Sequence, residues 1–176
     1  DGIGVAILDT GIYPHQDFYR RVVAFKDFVN NKTFPYDDNG HGTHVAGVAA
    51  SKTYGVAKDA WLYQVKVLNK KGTGSYSNVI AGLDFIAGEK RRNPSRNMVA
   101  NLSLSGGISK ALNDAIDKAV KAGVIVVGAA GNNNGRDACS YSPGSSSAIV
   151  VGSIDESGGV SDFSNRGRYV LSTQGV

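Results

Sequence analysis

The 176 residues suit one domain, and a chain of this length buries roughly 70% of its unfolded surface. With 41% hydrophobic and 19% charged residues it has the composition of a globular protein, and no apolar run approaches the ~18 residues that span a bilayer. The net charge of +4 comes from Lys and Arg spread along the chain, without aromatic interleaving or a DNA- or RNA-binding motif, so neither nucleic acid nor membrane is expected as a partner.

The chain starts at Asp1 with no initiator Met and no leader-type segment, so it reads as a processed or excised product. Its first apolar run, Gly4 to Leu8, reads as a strand delivering the carboxylate of Asp9 just before Thr10-Gly11. Alone, that Asp reads as the cap of a turn; at a strand end it can also orient an imidazole and stabilise the imidazolium. A second strand is expected over Val22 to Phe28. Then comes Asp37-Asp38-Asn39-Gly40-His41-Gly42-Thr43-His44-Val45-Ala46-Gly47, a polar turn leading into a helix whose first residue is His41. Gly42 and Gly47 would let that helix approach a neighbouring backbone closely. The two histidines lack the four-residue spacing and the Glu of the His-Glu-x-x-His zinc-protease pattern, so no metal is assigned to them, and His44 reads as structural.

Further strands are expected over Leu62 to Leu68, Met98 to Leu104, Val124 to Ala129 and Ala148 to Ile154. Between them, Val79, Ile80, Leu83, Ile86 and Ala87 form one apolar stripe at helical spacing, with Ser77 as its N-terminal cap. Ala111, Leu112, Ala115, Ile116, Ala119 and Val120 form another, capped by Ser109 and ended by Gly123. Lys90-Arg91-Arg92 with Arg96 reads as a polar loop after the first of these helices. The stretches 71–78, 131–147 and 155–167 read as loops. In the second of them, Asn132 follows a buried strand and the small residues Ala129, Ala130 and Gly131. It is a turn Asn by composition, and also a side chain able to donate to a developing oxyanion. Cys139, the single cysteine, has no intrachain partner and no evident base beside it, and reads as structural or unpaired. Continuous apolar strands alternating with amphipathic helices predict one α/β domain over 1–176, with a mainly parallel sheet covered on both faces and functional groups at strand carboxyl ends.

Asp-Thr-Gly after an apolar strand, His-Gly-Thr-His-Val-Ala-Gly and Ala-Ala-Gly-Asn, in that order, resemble the subtilase family of serine proteases. Ser51-Lys52-Thr53-Tyr54-Gly55-Val56-Ala57-Lys58 and Arg136-Asp137-Ala138-Cys139-Ser140-Tyr141-Ser142-Pro143 are similar to its proteinase K branch. The resemblance covers nearly the whole chain. It implies a three-layer subtilisin-like fold, a secreted endopeptidase and a polypeptide substrate. It makes Asp9 the triad acid, His41 the general base and Asn132 the oxyanion donor. It also assigns substrate binding to Asn39, to Gly72, Thr73 and Gly74, and to Ser103, Leu104, Ser105 and Gly106, a strand edge along which the peptide lies. Ala129, Ala130 and Gly131 become one wall of an open apolar pocket, which implies a preference for large apolar residues before the cut.

The family's Gly-Thr-Ser-Met-Ala, which bears the nucleophile, does not occur in these 176 residues, nor does Gly-x-Ser-x-Gly. The C-terminal part of the family's domain is therefore expected to be missing. The resemblance then implies an inactive chain that exposes apolar surface, with a pro-segment or a further chain supplying the serine part as a partner. About ten residues that the family usually carries between Val170 and Leu171 are also missing, among them a calcium-binding carboxylate. No cofactor is expected for the chemistry; the branch implies structural calcium, at a site from which the missing segment removes one carboxylate. Ser105 stands where the family has Gly, which would narrow the cleft. Cys139 pairs, in relatives, with a cysteine where this chain has Tyr169. The competing reading is a non-catalytic pseudoprotease or fragment that offers the cleft to a partner; retention of Asp9, His41 and Asn132 argues against it.

Overall fold

Six parallel strands form the central sheet of the computed structural model, which describes residues 2–167. They are β1 (Gly4–Asp9), β2 (Val22–Asp27), β3 (Trp61–Lys66), β4 (Met98–Leu102), β6 (Val124–Ala129) and β8 (Ile149–Val151). Their order is β2-β3-β1-β4-β6-β8. Two short strands, β5 (Gly106–Gly107) and β7 (Tyr141–Ser142), pair antiparallel outside it. Three helices complete the layers: α1 (His41–Ala50), α2 (Tyr76–Arg92) and α3 (Lys110–Lys121).

Several expected strands end early, each for a visible reason. The amides of Val67 and Leu68 both turn onto the carbonyl of Asp9, at 2.9 and 3.1 Å, so the β3 ladder stops at Lys66. Ser103 and Leu104 lie beyond β4, and of the segment read as a strand edge only Gly106 is in a strand, paired with Ser142. Ile154 leaves the sheet to bridge Val160 in a small hairpin. The stretch 131–147, read as loop, holds a 3₁₀ turn over Ala138–Ser140 as well as β7.

Helix boundaries shift in the same local way. Ser75, not Ser77, caps α2: its Oγ accepts from the amide of Asn78 at 3.2 Å, while Ser77 sits inside the first turn. Ser109 caps α3 through the amide of Leu112, and Gly123, at φ +89°, ends it. Lys90, Arg91 and Arg92 belong to the last turn of α2, where cations offset the helix dipole. The ammonium of Lys90 closes that end on the carbonyls of Pro94 and Arg96. Ala111, read into the apolar stripe, is exposed.

Pairing register divides the sheet into two faces. Ala6, Leu8, Val65, Ala100, Leu102, Val124 and Val126 point to one side, where Leu83 and Ile86 of α2 and Leu112 and Ile116 of α3 bury them. On the other side Ala46 and Ala50 of α1 cluster with Val5, Ile7 and Leu62, and Val22 of β2 packs at the margin. Further along that face, register aligns Val99 with Ile125 and Val127 with Ile149, and no helix of the described residues lies over them. Ile125, Ile149 and Val151 are 52%, 58% and 52% exposed.

An open apolar half-face on an edge strand drives association at roughly 25 cal/mol per Å² covered. Residues 1–176 taken alone are therefore expected to self-associate with rising concentration in sedimentation velocity, and Ile149→Lys with Val151→Lys to suppress it. A monomeric wild-type sample with a single cooperative melt would contradict this.

Candidate active site

Asp9 closes β1 and is fully buried. Its position at the carboxyl end of a central strand brings it under the first residue of α1, His41. The ring Nδ1 of His41 lies 2.8 and 2.9 Å from the two carboxylate oxygens of Asp9. The amide of Thr10 donates to Oδ1 at 2.6 Å, which fixes the carboxylate plane. A carboxylate only accepts, so this geometry puts the imidazole proton on Nδ1 and leaves Nε2 as the lone-pair nitrogen. The side chain of His41 is 48% exposed, and Nε2 has no hydrogen-bond partner among the described residues.

A polar framework holds the helix start against the strand end. α1 has no side-chain N-cap at Gly40; Asp37, three residues earlier, does the work instead. Its oxygens accept from the amides of Asn39, Gly40 and Thr43 and from the hydroxyls of Thr43 and Thr10. Partial burial pushes the Asp37 carboxyl up, but the bonds from Gly40, Thr43 and Asn39 outweigh it and leave the group below the usual Asp range. The Thr10 hydroxyl also accepts from the amide of Gly42 at 2.9 Å. Gly42 is required there: a Cβ would stand 2.1 Å from the Gly11 carbonyl oxygen. Gly47, read the same way, has open space where a Cβ would go, so close approach is a property of the first turn only.

The histidine opens into a cleft of about 530 Å³. Asn39, Gly72, Thr73, Gly74, Ser103, Leu104, Ser105 and Gly106 all line it together with His41. Asn39 joins two of its walls, since its Nδ2 donates to the carbonyl of Lys70 at 3.1 Å. Asn69 shapes the 71–73 turn by accepting from the amides of Lys71 and Thr73. Leu68, Tyr76 and Val79 also line the cleft and escaped the sequence reading. Val79 was legible as a core stripe residue, but nothing in sequence aims Tyr76 across the cleft, where its hydroxyl donates to the Gly107 carbonyl at 2.6 Å.

The segment 129–132 starts on the last residue of β6, the neighbour of β4, so strand order places it beside Ser103–Gly106. It does not line the cleft. Ala130 is buried and faces a separate cavity of about 480 Å³ shared with Ala138, Cys139 and Val150. Gly131, at φ +98°, packs so closely that a Cβ would meet Asn165 Nδ2 at 2.7 Å and Ser105 Oγ at 3.2 Å. Ser105 thus touches both the cleft and this loop. Asn132 is exposed, and its amide has no hydrogen-bond partner among the described residues. Buried Asn165, unnoticed in the sequence, clamps its base: Nδ2 donates to the Ala130 carbonyl and to Asn133 Oδ1, and Oδ1 accepts from the Asn133 amide. Asp9 and His41 therefore meet directly, eight of the expected substrate residues share their cleft, and the 129–132 loop borders it through Ser105.

His44, read as structural, is exposed in a groove with His15 and Tyr54, away from the cleft. Cys139 is exposed and free. Among the described residues no three His, Cys, Asp or Glu side chains gather as a metal site, and no helix is long and apolar enough to cross a membrane. Tyr169, the Val170–Leu171 junction and the final residues lie outside the described residues.

The family model for subtilases, Peptidase S8, matches residues 1–176. The cuticle-degrading protease of Metarhizium anisopliae is 46% identical over 172 residues, covering 96% of this chain and 44% of that protein. An extracellular serine proteinase of Thermus sp. (strain Rt41A) is 46% identical over 169 residues, covering 95% of this chain and 40% of that protein. Proteinase R of Parengyodontium album, at 44% identity over 169 residues, covers 94% of this chain and 43% of its own length. The chain thus spans less than half the length of these relatives. The crystal structure of a cold adapted subtilisin-like serine proteinase superposes with a TM-score of 0.87 at 44% identity, over 95% of this chain and 60% of that one. Parallel sheet, strand-end carboxylate and helix-start imidazole thus agree with the sequence motifs: the chain belongs to the subtilase family.

Proposed function

We propose that residues 1–176 carry the acid, base and oxyanion donor of a secreted serine endopeptidase, whose nucleophilic serine comes from a segment outside these residues. The observation that carries this reading is the Asp9–His41 pair, with Nδ1 held at 2.8 Å by a buried carboxylate and Nε2 open at a substrate-sized cleft. In that reading Nε2 takes the proton of the serine hydroxyl as its oxygen attacks the scissile carbonyl, and Asp9 stabilises the imidazolium. The amide of Asn132 donates to the resulting oxyanion. The imidazolium then protonates the departing amine, and water repeats the sequence on the acyl-enzyme.

The substrate lies extended between 72–74 and 103–106, bound by backbone hydrogen bonds, and apolar Leu68, Val79 and Leu104 favour large apolar side chains. The serine-bearing segment would cover the open half-face of Ile125, Ile149 and Val151.

In the full-length protein, Asn132→Ala is expected to lower kcat on a chromogenic peptide by about 10²–10³, with KM within about twofold, because the lost bond forms only in the transition state. A drop confined to KM would remove Asn132 from that role.

A further inference from the structure

Lys66 ends β3 with its side chain entirely buried, directly paired in register with Asp9. An ammonium has three N–H groups, and here each has an acceptor. Nζ donates to the carbonyl of Thr10 at 2.6 Å, to the carbonyl of Leu68 at 2.9 Å and to Oδ1 of Asp38 at 2.6 Å. The ring of Tyr36 lies 5.0 Å from it. These acceptors belong to three chain segments that other bonds link in pairs, Thr10 with Asp37 and Leu68 with Asp9, and among the described residues the ammonium is the single group that holds all three. Thr10 follows the acid. Asp38 lies in the turn that becomes α1, three residues before His41. Leu68 lines the cleft and leads into 71–74. Neighbouring Gln64, also buried, adds a bond from its Nε2 to the Tyr36 carbonyl at 3.0 Å, on the same loop.

We infer that Lys66, paired with Asp38, is a positioning residue: one buried ammonium sets the register of acid, base and substrate segment. This rests on the protease reading above. A buried charge is costly unless its bonds are complete, so the arrangement tolerates one geometry only. The planar fork of Arg would not reproduce three tetrahedrally directed bonds. Misplacement of a catalytic group by about 1 Å can cost on the order of 10²-fold in rate.

The test uses the full-length protein, with reactive sites counted by a serine-directed fluorophosphonate and kcat and KM measured per labelled site. Lys66→Met is expected to lower kcat about 10²-fold and raise KM, because it loosens both the pair and the cleft segment. Asp38→Ala should lower kcat about 10-fold, and Asp38→Asn, which keeps an acceptor, should return to within about threefold. A loss of labelled sites with kcat and KM per site unchanged would make Lys66 merely structural and overturn the inference. If Lys66→Met does not fold, Asp38→Ala decides it by the same split. If the wild type neither labels nor turns over, the protease reading fails. The downfield Nδ1 proton resonance of His41 then decides the positioning claim, which requires that signal to shift or broaden in Asp38→Ala and falls if it is unchanged.

Discussion

Residues 1–176, incubated alone with a chromogenic peptide, are expected to give no turnover above a His41→Ala control. His41 Nε2 faces an open cleft without a hydroxyl hydrogen-bonded to it among the described residues. Ser103 and Ser105 line that cleft, but the Ser103 hydroxyl accepts from Asn101 Nδ2 at 2.9 Å and Ser105 sits against the Gly131 loop. Neither is presented to the imidazole. In triad proteases removal of the nucleophile costs about 10⁶ in kcat, nearly as much as removal of the whole triad, so acid, base and oxyanion donor do not compensate for its loss. Adding the serine-bearing segment in trans should restore turnover in proportion to the complex formed, since the open apolar half-face offers it a seat. Turnover of 1–176 alone above the His41→Ala control would overturn this prediction.

Asp9→Asn in the full-length protein is expected to lower kcat by about 10⁴, with KM little changed. The direction follows from two bonds. The amide of Thr10 donates to Oδ1, which selects the carbonyl oxygen of an Asn for that position. The Asn NH₂ then replaces Oδ2, 2.9 Å from His41 Nδ1. Because that NH₂ donates, Nδ1 must accept, and the ring proton moves to Nε2, where it blocks the nitrogen that should take a proton. Asp9 is buried beneath the ring and does not line the cleft, so substrate binding is spared. A KM effect with kcat intact would mean that Asp9 only supports the fold. The chemical shift of the ring nitrogens in ¹⁵N-labelled His41 reads the tautomer independently of turnover.

Much of this was legible in sequence because it is locally encoded. Apolar runs marked all six strands of the main sheet, and that of β1 is continuous because β1 is covered on both faces and has no polar positions to alternate. Asp9 and His41 were readable because each sits where a strand ends or a helix begins, a place that short-range pattern marks. Boundaries were less legible. Whether Val67 continues β3 depends on its amide turning to Asp9 rather than to a neighbouring strand, and Ser77 lost the α2 cap to Ser75 by two residues. Gly47 resembles Gly42 in sequence; only the position of Gly11 distinguishes them.

Sequence by itself determined the fold class and the family and singled out Asp9 and His41, which the structure brings together, because periodicity, turn chemistry and short motifs are properties of neighbouring residues. Only the tertiary structure decided how those residues are held. Lys66 reaches Thr10 across 56 positions, Asn165 grips Ala130 across 35, and Tyr76 crosses to Gly107 over 31. A buried lysine and a buried asparagine look like surface residues until packing removes their water. Their roles come from the requirement that every buried polar group find a partner, and that requirement acts through space rather than along the chain.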